Sequence, residues 1–201
     1  MKKLLTLIVL MAVMSIGSYA HATAIWTADF STTGITDWAV SAGSGTITSN
    51  GTQAVFGVPG QSSSLTGIYN SAKAPAFNPI DASKYDLVFD TTGGVTWSES
   101  YEVDLDTFDS THTYINTLYG NHVTTAGLQT VNVATLGNIG NLSSSTAYVS
   151  PKVYITTGDG GQSLTMSSMQ LDKNNVVPEP ASLFLLGSGL VGLLGVSRKK
   201  K

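Results

Sequence analysis

Lys84-Tyr85-Asp86-Leu87-Val88-Phe89-Asp90 is the stretch on which the fold turns. Tyr85, Leu87 and Phe89 share one face of an extended chain and Asp86 and Asp90 the other, because successive side chains of a strand point to opposite sides. Tyr101, Val103 and Leu105 alternate with Glu102, Asp104 and Asp106 in the same way. Val131 with Val133, and Val149 with Val153 and Ile155, repeat the period. Pro151 lacks the N–H a ladder needs and marks an edge strand or a strand start.

Ser163 to Leu171 changes phase. Leu164 and Met166 share a face that Met169 and Leu171 rejoin only if Ser167-Ser168 form a bulge. Turn signals fall at Ser49-Asn50-Gly51, Pro59-Gly60, Thr92-Gly93-Gly94, Gly137-Asn138 and Gly158-Asp159-Gly160-Gly161. Ser and Thr supply 43 of the 153 residues from Thr23 to Asn175, which suits strands and turns and penalises helices. Many short strands without a fixed repeat predict an all-β fold, an antiparallel jelly-roll-like β-sandwich over 23–175, and argue against a solenoid.

That span carries ten Asp and two Glu against four Lys, a formal −8, although the whole chain sums to −3. An acidic domain without a Lys/Arg stripe has nothing with which to neutralise phosphates, so nucleic acid is not an expected partner. Cysteine is absent, which removes disulfides, thiolate metal sites and cysteine nucleophiles. Past the N-terminal segment only His112 and His122 remain, each read as a solvated loop or strand histidine. Zinc catalysis usually needs three protein ligands, and no local motif announces a Ser-His-Asp relay.

The basic residues concentrate at the ends. Lys2 and Lys3 precede an apolar stretch from Leu4 to Val13, and Ala20-His21-Ala22 supplies the small-x-small pattern cut by signal peptidase, so residues 1–22 read as a signal peptide and the mature chain is expected to start at Thr23. At the other end stand Pro178-Glu179-Pro180, an apolar run from Ala181 to Val196, and Arg198-Lys199-Lys200-Lys201. A helix through that run would be about 24 Å long, slightly short of a ~30 Å hydrocarbon core, and would span only with local thinning or snorkelling. The basic stop holds its end in the cytoplasm and leaves everything before Pro178 on the far side. Pro178 and Pro180 keep the step outside the membrane extended, and Glu179 resists entering it.

The order Pro-Glu-Pro, membrane segment 181–196, basic terminus resembles the PEP-CTERM sorting signal of Gram-negative bacteria over roughly Val176 to Lys201. The resemblance implies recognition by a membrane processing enzyme, exosortase, a transient inner-membrane stage, and association with exopolysaccharide or a biofilm matrix. It implies nothing about the domain ahead of the tail.

Asp29-Phe30, Gly34 through Trp38, Asp81-Ala82-Ser83-Lys84-Tyr85 and Met169-Gln170-Leu171-Asp172 loosely resemble the jelly-roll modules of secreted carbohydrate-binding proteins. That resemblance implies a first and a last strand lying near one another, with Asp29 and Asp172 as candidate oxygen ligands of a structural calcium; otherwise they are surface carboxylates at strand ends, and no other cofactor is expected. Sugar binding needs flat rings beside hydrogen-bonding groups, for which Trp97 and Trp38 are the first choices, although large aromatics usually belong to the core.

Glu102-Val103-Asp104-Leu105-Asp106 also resembles the Glu-x-Asp-x-Glu strand motif of laminarinase-type β-glucanases. This would make Glu102 a nucleophile, Asp104 its helper and Asp106 the acid/base. Asp in the third place departs from the motif by a methylene, and alternating acids are more often the solvated face of a strand. The expected function is therefore an exported, non-catalytic surface or matrix protein, with a glycan-binding module as the alternative and a glucanase as the lesser one.

Overall fold

The computed structural model describes residues 21–58, 64–92, 100–156 and 162–175. Two compact units are distinguished. Thr23–Lys173 holds both sheets, whereas Met1–Ala22 with Asn174–Lys201 is described only at 21–22 and 174–175, the outer ends of the first and last strands.

The strands are β1 (His21–Thr27), β2 (Trp38–Gly43), β3 (Thr46–Ser49), β4 (Ala54–Val58), β5 (Ser64–Tyr69), β6 (Tyr85–Thr91), β7 (Ser100–Phe108), β8 (Tyr114–Leu118), β9 (Gly127–Asn132), β10 (Tyr148–Thr156) and β11 (Gln162–Asn175). Short 3-10 turns, such as Pro79–Lys84 and Val133–Thr135, join them. One sheet runs β3-β4-β11-β6-β9 with β1 also on β11, and the other β2-β5-β10-β7-β8. The pairings along both paths are antiparallel.

Four of them, β4 with β11, β5 with β10, β6 with β9 and β7 with β8, make a single long ribbon whose successive rungs fall in alternate sheets. Such a ribbon wound around its own core is a jelly roll, the all-β sandwich expected.

The alternation read from the sequence sets which side chains meet between the sheets. Tyr85, Leu87 and Phe89 of β6, Tyr101, Val103 and Leu105 of β7, and Val149, Val153 and Ile155 of β10 are all buried. Leu164, Met166, Met169 and Leu171 of β11 join them, and they keep one face because the register slips between Met166 and Ser168. The extra residue is Ser167, so the bulge lies where the phase change requires it, and its hydroxyl donates to the Asp90 carboxylate at 2.9 Å. Burying each large apolar side chain of this set contributes roughly 1.5–3 kcal/mol before the entropy of ordering it.

Pro151 sits inside β10, a central strand, and not at an edge or a start. It pairs with Leu105 of β7, and the β5 ladder begins one residue later at Lys152. Where Pro151 offers no N–H, the buried Ser150 hydroxyl donates to the Tyr69 carbonyl at 2.9 Å. Val133 is buried, yet it belongs to the 3-10 turn after β9 and not to the strand itself. Trp38, expected as a sugar platform, is a core residue at 6% exposure, its ring packed on Phe30, Phe56 and Tyr69 at centroid distances of 6.2, 5.5 and 5.5 Å.

Candidate functional site

The outward face of the β2-β5-β10-β7-β8 sheet carries the candidate site. Residues directly opposite in neighbouring strands share a face. One rung of outward residues is therefore Thr66, Tyr154 and Glu102, and the next is Ile68, Lys152 and Asp104. Asp106 lies opposite Ser150 on one side and Thr117 on the other. Thr66, Glu102, Asp104, Tyr119, Lys152 and Tyr154 line a hollow of about 250 Å3. A second hollow of about 500 Å3 continues along the face past Ile68, Asp106, Phe108 and Tyr114.

Lys152 is the centre of the polar network. Its Nζ lies 3.2 Å from Asp104 Oδ2, 3.5 Å from Asp106 Oδ1 and 5.5 Å from the centre of the Tyr119 ring. Gly120 N–H donates to Asp104 Oδ1 at 2.8 Å, and Thr117 Oγ1 donates to Asp106 Oδ1 at 2.6 Å while facing the Tyr114 hydroxyl at 3.0 Å. Glu102 Oε1 meets His122 Nε2 at 2.8 Å. The Asp104 side chain is only 2% exposed, so the acids of β7 do not form the solvated face that their alternation suggested. They line a groove.

Burial, and then the neighbouring Asp104 charge, raise the proton affinity of Glu102. Burial also raises that of Asp104, against the Gly120 N–H and Lys152. For Lys152, burial works to lower the affinity, but the Asp106 and Asp104 carboxylates outweigh it and raise it. An ion pair would ordinarily lower the carboxylate's value while raising the ammonium's. Both rise here because burial dominates at the Asp104 carboxylate, whereas at Lys152 the two neighbouring carboxylates outweigh burial.

Glu102, Asp104 and Asp106 do share one face, as the glucanase-like spacing requires. Asp106, the acid/base of that resemblance, accepts a hydrogen bond from Thr117 and pairs with Lys152. Trp97 lies outside the described residues, as do Ala20, Pro178-Glu179-Pro180, Arg198, Lys199, Lys200, Lys201 and the apolar run 181–196. Ala22 is described and exposed, within β1. No helix among the described residues is long and apolar enough to cross a membrane.

Asp29 and Asp172 are not brought together by any described contact. Asp29 is exposed and accepts the Ser31 N–H at 2.8 Å, which holds its carboxyl below the ordinary range. Asp172, on β11, lies opposite Asp86 and accepts from Gln170 at 3.1 Å, while its buried Oδ1 has no hydrogen-bond partner among the described residues. Calcium takes roughly six to eight oxygens, and no group of three or more acidic or histidine side chains able to hold a metal occurs among the described residues.

Two tyrosine rings, Tyr119 and Tyr154, line the hollow, whereas Trp38 lies in the core. The period itself holds the signal for one of them. If Val149, Val153 and Ile155 point inward, then Lys152 and Tyr154 must point outward. His112, expected in solvent, is half-buried and stacks on Tyr148 with ring centres 4.2 Å apart.

Comparison with known proteins locates the tail. The PEP-CTERM protein-sorting motif matches residues 176–199. No curated protein matches the chain. Among solved structures, the chain is similar to a low-affinity xylan-binding module, CBM86, of the gut symbiont Roseburia intestinalis, at 13% identity and a TM-score of 0.39 over 75% of this chain and 94% of that one. It is also similar to the family 11 carbohydrate-binding module of a cellulosomal cellulase of Clostridium thermocellum, at 11% identity and a TM-score of 0.47 over 77% and 95%. The sorting motif implies an exported protein processed by exosortase and sorted to the cell surface.

Proposed function

We propose that this is a non-catalytic surface or matrix protein of a Gram-negative bacterium whose β-sandwich binds extracellular glycan through the outward face of β5, β10 and β7. The observation that carries the reading is the hollow in which the Tyr119 and Tyr154 rings stand beside Thr66, Glu102, Asp104 and Lys152. Flat rings cover the apolar face of a pyranose, while fixed hydroxyl, carboxylate and ammonium groups bond its hydroxyls. Tyr119 is 49% exposed, so its ring is available to a ligand. The reading requires no cofactor, and Trp97 remains a further contact proposed from sequence.

In the same proposal signal peptidase cuts after Ala22, the tail holds the protein briefly in the inner membrane, and exosortase acts near Pro178-Glu179-Pro180 before display among exopolysaccharide or in a biofilm. Intact-mass measurement of the protein from membrane, surface and medium, with and without exosortase, tests this sequence of events. Loss of both ends in the surface fraction, dependent on that enzyme, is expected; a C-terminus intact at Lys201 in cells that make exosortase would contradict it. Glycan binding is tested by titrating polysaccharides against the protein and its Tyr119→Ala and Tyr154→Ala variants. Unaltered binding by both would remove the face from consideration.

A further inference from the structure

We infer that this groove selects glycans bearing free amino groups, polymers of glucosamine type carrying exposed ammonium, over their acetylated counterparts and over uronate-containing chains. The inference rests on the glycan-binding reading of the same face and adds the chemical class of the ligand. What carries it is the charge balance of a groove already formed by two rings and a hydroxyl. Two carboxylates, Glu102 and Asp104, line it from β7, a third, Asp106, lines the neighbouring hollow, and the cation between Asp104 and Asp106 is Lys152.

Lys152 is already engaged. It lies between Asp104 and Asp106, only 15% exposed, and cannot swing to Glu102 without leaving a nearly inaccessible Asp104 behind. Glu102, on the rung with Tyr154 and Thr66, meets an imidazole that is 63% exposed and charged only when protonated. Lys152 therefore sets one permanent positive charge against the three carboxylates in and beside the groove.

A bound ligand displaces water from these carboxylates and makes the excess more costly unless it brings a compensating charge. A neutral sugar brings hydrogen bonds only. A uronate adds a fourth carboxylate to the cluster. An ammonium on the sugar ring offsets the excess at Glu102 and is also attracted to the electron-rich faces of Tyr119 and Tyr154. Burial and Asp104 already make Glu102 hold protons more tightly than a solvated glutamate, the response of a carboxylate in want of a cation. The acidic domain around the groove, formally −8, would also raise the local concentration of a polycation at low salt.

The test is calorimetric titration of the full chain, purified in mild detergent, with short oligomers of glucosamine, N-acetylglucosamine and galacturonate at low and high salt. The glucosamine oligomer is expected to bind about tenfold tighter than the acetylated one, corresponding to about 1.4 kcal/mol. Glu102→Gln should narrow that difference. Asp90→Asn, on the outward face of the other sheet, removes the same charge away from the groove and should leave the difference intact. Equal narrowing by both variants would reduce the effect to general attraction of a polycation and overturn the inference. Equal or better binding of the acetylated or uronate oligomer, lost in Tyr119→Ala, would overturn amine selectivity and leave the glycan-binding face standing. Binding of none of the three would overturn the inference, and binding of no other polysaccharide either would remove the glycan-binding reading with it.

Discussion

Lys152 of β10 and Asp104 of β7 stand directly opposite each other on the outward face of their sheet, 3.2 Å apart, with the Asp104 side chain almost wholly enclosed. Removing the ammonium leaves a buried carboxylate held by the Gly120 N–H. Lys152→Met is therefore expected to destabilise the fold by about 3–5 kcal/mol at neutral pH, measured by urea denaturation. Adding Asp104→Asn should recover much of that loss, because the amide keeps an acceptor for Gly120 and removes the stranded charge. Additive losses in the double variant would show that the two groups are not energetically coupled.

The pH dependence follows from the direction of the shifts. Asp104 and Glu102 hold protons more tightly folded than unfolded. Their contribution to stability is therefore full below the unfolded carboxylate range and is lost as pH rises through their raised folded values. On acidification they work against the loss from Asp109, whose value is lowered by the Thr111 hydroxyl and by the Thr113 and Thr111 N–H groups. Asp104→Asn deletes part of the compensating gain. Its stability should fall more steeply than that of the parent between neutral pH and about pH 4. Parallel profiles would contradict the assigned burial effect.

Trp38 and Tyr119 should separate stability from binding. Trp38→Ala empties a core site between Phe30, Phe56 and Tyr69 and is expected to cost about 3–5 kcal/mol. Tyr119→Ala should leave the denaturation midpoint nearly unchanged and weaken glycan binding. A Tyr119 variant with parental affinity would place the ligand elsewhere.

Gly120 approaches β7 closely enough to donate its N–H to Asp104, and a Cβ there would lie 2.5 Å from the Val103 carbonyl oxygen. Gly120→Ala is expected to push that segment away and destabilise by about 1–3 kcal/mol. If the carboxylate loses its donor as well, Lys152→Met should cost more in this background than alone. Denaturation of the single and double variants checks both points.

Period and phase along single strands are legible in the order of the residues. The inward sets of β6, β7 and β10, the bulge at Ser167 and the sorting tail each depend on residues close together in the chain, where a two-residue repeat or a local motif is enough. Which strand stands beside which is not legible in that way. Lys152 meets Asp104 because β10 of one ribbon pair lies beside β7 of another in the same sheet, and that register turns a row of apparently solvated acids into a groove. Pro151 is accepted in a central strand because Ser150 supplies a donor to Tyr69, a contact 81 residues apart. Trp38 lies inside because three aromatic rings from β4, β5 and the segment after β1 converge on it. Alternation separates the two faces of a strand, but the neighbours on each face, and with them burial, charge balance and ligand chemistry, are set by long-range strand pairing.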